Sequence, residues 1–417
     1  LTRARAGDQA SAGLSASDEG ANQPQGRDGA QRVTTAAIDR FLALCVRQSQ
    51  RDQTLPPWPG EWGADDPALC QMVFDRIAFH GIALLLVYHA TALSAWPALL
   101  RDTMQAEARA QSFWEMGHRK VLAQLIQTLD TAGITGAVTK GTAMAYTLYA
   151  EPALRRRGDS DVLLPGADRR AVGAALAAIG MVRSGDARPL QESWAAQCAM
   201  GFTHVFDLHW RGNASAVVSH CHDRAGIGQR TVAMPRVSPA ARAIAPTDNA
   251  ILIAINRAMH LQFGYVSGTA KTFEQDRLIW AVDLDLLSAS FGAAEWEALA
   301  QAAEASGAAP LVLAALDFAH AVLGTPTPPD IRARLAAHPG DPRLLRYLGA
   351  LPGIERLRLD LAASPTLADK LRLIRYTLFP GAEVLHERFP AATHWPIPAL
   401  QARRLVSSAG KLLLGRG

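Results

Sequence analysis

Cysteine is scarce: Cys45, Cys70, Cys198 and Cys221 are the four in 417 residues, and none forms a C-x-x-C pair. That excludes a disulfide framework and a zinc cage, and suits reduced thiols in a cytoplasm. Charge is thin as well. Charged residues make 19% of the chain, and 42 Lys plus Arg against 38 Asp plus Glu leave a net charge of only +4. The pI near 9.0 reflects that small surplus, not a dense basic face, so nucleic acid is not an implied partner. There is no Gly-x-x-x-x-Gly-Lys-Ser/Thr loop, no Gly-x-Ser-x-Gly elbow and no His-Glu-x-x-His pair. P-loop, α/β-hydrolase and zincin mechanisms therefore lack their residues. No internal repeat is visible.

Residues 1–32 have almost no large apolar side chains, too few to offset ordering entropy by burial, and are expected to be a disordered tail. They carry no continuous apolar core of a secretory signal, and Asp8, Asp18, Glu19 and Asp28 argue against a transit peptide. The stretch between Arg76 and Arg101 lacks charge over a length that could span a bilayer. His80, His89, Ser94 and Pro97 interrupt it, so buried helices broken near Pro97 are expected and no transmembrane span.

What is present is a body that is 49% hydrophobic, enough to fold around a sizeable core. Residues 33–133 read as helical, with Leu122, Leu125, Ile126 and Leu129 on one buried face. The period then changes. Residues 134–139, 161–164 and 203–210 read as strands, separated by helical stretches at 141–149 and 169–179, which predicts an α/β core over 134–246. Residues 247–417 return to helix, with Ile251, Leu252, Ile255 and Met259 on one face and a buried run at 278–287. The last part, 341–417, has 12 Lys or Arg against 6 Asp or Glu. Those cations suit a solvated helix face, a groove for an acidic acceptor, or a membrane surface.

One segment, 140–164, carries chemistry. Asp159 and Asp161 are two apart, so on a strand both carboxylates leave the same face and repel unless a cation sits between them. Their hard oxygens suit Mg²⁺ or Mn²⁺. Asp207, inside the Phe206-Asp-Leu-His-Trp strand, is the candidate third carboxylate, and alternation sends His209 to the same face. Lys140-Gly141-Thr142 stands at a strand-to-helix junction, where free N–H groups and the helix dipole favour phosphate. Arg155, Arg156 and Arg157 approach the carboxylates from the other side, and Gly158 precedes them.

Lys140-Gly141, Leu148-Tyr149, Leu154-Arg155, Gly158-Asp159-Ser160-Asp161-Val162 and Asp207-Leu208-His209-Trp210 together resemble the bacterial uncharacterised nucleotidyltransferases, within the DNA polymerase β-like superfamily. Thr142 and Met144 depart from that pattern, where Ser or Gly and Leu are usual. The resemblance implies an α+β fold, a small mixed sheet flanked by helical regions. It implies NMP transfer from an NTP, most simply ATP, with Mg²⁺ or Mn²⁺ on Asp159, Asp161 and Asp207, the triphosphate held by Lys140, Gly141, Thr142 and Arg155, and Gly158 and His209 as further cofactor-binding residues, His209 orienting the carboxylate or touching the acceptor. The acceptor, whether small molecule, peptide or protein, is left open. Kinase-like phosphoryl transfer and a non-catalytic nucleotide- or peptide-binding adaptor are the alternatives. Asp283 could cap a helix, pair with an arginine or bind. His220-Cys221-His222-Asp223 is contiguous and so cannot turn all its side chains toward one ion.

Overall fold

The computed structural model describes residues 33–413 apart from 64–65, 89–91, 186–187, 268–269 and 273–275. The expected tail at 1–32 lies outside the described residues. The fold is α+β: a seven-stranded mixed sheet among helices.

Four helices lead in: α1 (Thr35–Ser49), α2 (Pro67–His80), α3 (Ala83–Val87) and the long α4 (Ala98–Thr131). The charge-free stretch after Arg76 is thus split between α2, α3, a 3-10 turn at Ala92–Ala95 and the start of α4. No helix among the described residues is long and apolar enough to cross a membrane. Pro97 sits at the N-cap of α4, where a missing N–H costs nothing.

The sheet follows, as β1 (Ala137–Val138), α5 (Lys140–Thr147), β2 (Asp159–Leu163), α6 (Arg169–Ala178), β3 (Val182–Ser184), β4 (Gln191–Gln197), β5 (Thr203–His209), α7 (Ala216–Arg224), β6 (Thr231–Ala233) and β7 (Arg242–Ile244). The strand order is β3-β4-β5-β2-β1-β7-β6. β2 runs parallel to β5, and β1 parallel to β7; the other neighbours are antiparallel. Sequence alternation locates β1, β2 and β5, whereas β3, β4, β6 and β7 are additional strands it does not disclose.

One face of this sheet is dry. Val162, Phe206 and Leu208 point into a core with Leu122, Leu125 and Leu129 of α4 and Val172 and Leu176 of α6. Phe206 is fully buried there, so Phe206→Ala would cost about 3–5 kcal/mol. Strand alternation then commits Asp159, Asp161, Asp207 and His209 to the opposite face.

A second core joins α1–α3 to the helices after the sheet: α8 (Pro246–Phe263), α9 (Leu278–Ser290), α10 (Ala293–Ser306) and α11 (Ala309–Leu323). A short hairpin, β8 (Tyr265–Ser267) with β9 (Ala270–Thr272), lies between α8 and α9. The chain continues through α12 (Pro329–Ala337), α13 (Pro342–Tyr347), α14 (Gly353–Ala363), α15 (Leu367–Leu378), α16 (Ala382–Arg388) and α17 (Ile397–Leu413).

Candidate active site

The parallel register of β2 and β5 sets Asp161 opposite Asp207, and Asp159 opposite Val205 one pleat further out. Oxygen atoms of Asp161 and Asp207 and a ring nitrogen of His209 lie within 4.8 Å of one another. Asp159, at the exposed start of β2, stands just outside this group, close enough for its charge to act on Asp161 and Asp207. Two hydrogen-bond donors converge on Asp161 Oδ1: Lys140 Nζ at 2.7 Å and His209 Nε2 at 2.8 Å. Asp207 is oriented from β4, where Ser193 Oγ donates to Oδ1 and Gln191 Nε2 to Oδ2, each at 2.6 Å.

Lys140 reaches the carboxylates through an unusual backbone. Its φ is +52°, a left-handed conformation that non-glycine residues seldom adopt. Asn249 of α8 holds it there, accepting from the Lys140 N–H at 2.7 Å and donating to its carbonyl at 3.1 Å. The kink aims the side chain back over β2 while the chain turns into α5. In that first helical turn the N–H groups of Gly141 and Thr142 have no intrahelical carbonyl to reach.

The electrostatics follow from this crowding. Burial and then the Asp161 and Asp207 charges push Asp159 up to about 7, against the pull of Lys140. Asp159 is nonetheless reachable by solvent, as a group at the edge of a cleft would be. Burial also acts on Asp161, but the Lys140 ammonium and His209 outweigh it and hold that carboxyl well below the usual range. Asp207 is raised by burial and by Asp161. For Lys140, burial opposes the charge, yet the three aspartates overcome it and its pKa rises. His222 and His260, near enough to feel the Lys140 charge, are driven by burial to about 3 and about 4.

Behind the strand, the interleaved Ser160 is fully buried and bonded to His118 Nε2 at 2.7 Å and Thr142 Oγ1 at 2.8 Å. The Thr142 hydroxyl therefore faces the interior, away from the carboxylates, and only its backbone N–H suits a phosphate. Arg155 is likewise committed elsewhere. Its guanidinium is buried against Asp283, with Nε and Nη2 donating at 2.8 and 2.7 Å, and Tyr149 Oη adds a third bond to Asp283. Burial would lower Arg155, but Asp283 outweighs it. The Arg155 side chain, expected to contact the triphosphate, is thus engaged by Asp283, and leaving that carboxylate would strand a buried charge. Gly141 lies under that guanidinium, where a Cβ would meet Arg155 Nη2 at 3.0 Å. Arg157 pairs with Glu115, and Arg156 with Glu107. Gly158 has open space around it. In α7, Cys221 and His222 are buried while His220 and Asp223 are exposed, so the four side chains radiate apart.

Sequence reasoning missed three contributors. Gln191 and Ser193 carry an alternation signal only once β4 is known, and Asn249 acts from 109 residues away. The site as a whole sets carboxylates from adjacent parallel strands beside one lysine and one histidine. That donor set, hard oxygens with an imidazole at the edge, fits a divalent cation of the Mg²⁺ or Mn²⁺ type. The chain belongs to the uncharacterised nucleotidyltransferase family, which it matches over residues 69–324, more than half its length. No curated protein and no solved structure matches it.

Proposed function

We propose that the protein is a metal-dependent nucleotidyltransferase, in which an acceptor group attacks the α-phosphorus of an NTP and pyrophosphate leaves. The observation that supports this reading most is the pairing of Asp161 with Asp207 across β2 and β5, with Asp159 two residues along the same face. Asp159, Asp161 and Asp207 would hold the cation, which supplies Lewis-acid charge at the phosphate oxygens and lowers the acceptor's pKa.

The chain's own residues do the rest. The backbone N–H groups of Gly141 and Thr142 face the triphosphate at the first turn of α5, where the helix dipole favours an anion. Lys140 places a fixed positive charge beside Asp161, for phosphate oxygens that gain charge in the transition state. Asp207, oriented by Gln191 and Ser193, receives the proton of the acceptor hydroxyl or amine. His209 fixes Asp161 in place from the adjacent strand. Gly158, without side-chain bulk, keeps the approach to Asp159 open.

The test is incubation with Mg²⁺, each NTP and pools of small molecules, peptides and proteins, followed by mass spectrometry. An acceptor heavier by one nucleoside monophosphate, with pyrophosphate released, supports the reading. A gain of a single phosphate would instead establish phosphoryl transfer, and no adduct with any pool, alongside unchanged NTP, would count against an enzyme.

A further inference from the structure

We propose that α15, together with the adjoining part of α17, is a docking surface for an anionic lipid bilayer. The proposal is independent of the nucleotidyl-transfer reading, because these helices follow the family match, which ends at residue 324.

α15 carries Leu367, Leu371, Ile374 and Leu378, and at about 100° per residue these four fall within about 60° of arc. All four face solvent, at 72, 56, 37 and 42% exposure, and Phe379, just past the helix end, is 56% exposed. No residue of α15 is buried, which is unusual for a helix with so marked an apolar side. Its less exposed side is mixed, with Asp369, Leu373 and Tyr376. Asp369 and Leu373 turn toward a narrow crevice with Leu190 and Arg211 beside the sheet. The basic residues flank the stripe, with Lys370 on one side and Arg375 and Arg372 on the other, Arg372 pairing with Asp369 at 3.0 Å. α17 is tied on behind by Arg404, which donates to the carbonyls of Thr377 and Leu378. On α17 Val406 and Leu405 are also exposed, and the Arg403 guanidinium lies over the rings of Phe389 and Trp395 at 4.9 and 5.3 Å.

Three occupants could cover such a face, and charge decides between them. Residues 1–32, outside the described residues, hold only Leu1 and Leu14 as large apolar side chains and offer little to fill an apolar stripe. A second copy would bring Lys370, Arg372 and Arg375 against their own counterparts, like charge on like charge. An anionic bilayer complements both features, taking the leucines and aromatics into its interface and the arginines and lysine at its headgroups. The wider segment, 341–417, holds 12 Lys or Arg to 6 Asp or Glu, in keeping with that partner.

The experiment is flotation of the full chain with vesicles of phosphatidylcholine alone and of phosphatidylcholine mixed with phosphatidylglycerol. The protein should float with the anionic vesicles at low salt, stay behind with the neutral ones, and be released as salt screens the attraction. Leu371→Asp with Ile374→Asp should abolish flotation. Lys370→Glu, Arg372→Glu and Arg375→Glu together should weaken it by at least about tenfold. Both variants change side chains at the surface, so circular dichroism and Mg²⁺-NTP binding should match the unaltered protein, and the lipid and salt dependence of that protein tests the proposal without any variant. Equal flotation with neutral vesicles, no flotation with anionic vesicles at low salt, or a dimer in sedimentation that Leu371→Asp dissociates would overturn it.

Discussion

Lys140 Nζ donates to Asp161 Oδ1 at 2.7 Å from a residue whose own backbone is held at φ +52° by the side chain of Asn249. A left-handed lysine costs of order 1–3 kcal/mol, so the arrangement persists only because other contacts over-determine it. Asn249→Ala removes both bonds and should destabilise the fold by about 1–3 kcal/mol, read as a shift in denaturant midpoint. The same variant should weaken Mg²⁺-dependent nucleotide binding, because the ammonium loses its aim. Lys140→Gly relaxes the backbone while deleting the charge. It should bind nucleotide poorly yet unfold no more easily than Lys140→Ala, and a midpoint lower for the glycine variant would contradict the strain argument.

Asp283 and Arg155 make a buried structural ion pair, Asp283 being fully buried. Asp283→Ala leaves a guanidinium buried without its partner and should cost about 3–5 kcal/mol. If thermal melts of that variant moved by only a degree or two, the assignment of Arg155 to the fold would fail and a phosphate-binding role would return.

Asp207 is held at both oxygens from β4, and Gln191→Ala or Ser193→Ala frees it to rotate. Each should lower transfer by about 10- to 100-fold while changing NTP affinity much less, since the proposed triphosphate contacts lie at Lys140, Gly141 and Thr142 and not at Asp207. Matched losses in affinity and turnover would place these two residues in nucleotide binding instead.

The pH dependence has two parts of opposite sign. Asp159 titrates near about 7 in the fold, above its ordinary 3.8, so between those values the folded chain keeps a proton that the unfolded chain has released. In chelator, that contribution to stability is present at low pH and is lost as pH rises through about 7. His222 and His260, at about 3 and about 4 in the fold against an ordinary 6.5, work the other way: stability falls as pH drops below 6.5 and the unfolded chain takes up protons. Asp159→Asn should therefore raise the melting temperature more at pH 8 than at pH 5, roughly the ends of the Asp159 window. Mg²⁺-dependent binding should weaken as pH falls through about 7, where the proton competes for Asp159. A variant whose advantage is the same at both ends would show that Asp159 does not titrate there.

The carboxylates were legible because their information is local: two aspartates at strand spacing, a third in an aromatic strand, and alternation carrying His209 with it. The register that brings Asp161 to Asp207 follows from two β-prone segments that pair in parallel. The partner of Arg155 was not legible, because Asp283 lies 128 residues on in sequence and only the packing of α9 brings it close. The bond of the Thr142 hydroxyl to the buried Ser160 was not legible either, because it depends on how α5 packs on β2. β3, β6 and β7 are three residues each and too short for a period to show, and β4 is broken by polar residues whose purpose is Asp207.

The most direct measurement is a calorimetric titration of each NTP with and without Mg²⁺, comparing the unaltered protein with an Asp159→Ala, Asp161→Ala double variant. The account predicts Mg²⁺-dependent binding of at least one NTP that disappears in the double variant while the variant still folds. Binding that survives loss of both carboxylates, or no binding of any NTP by the unaltered protein, would contradict it.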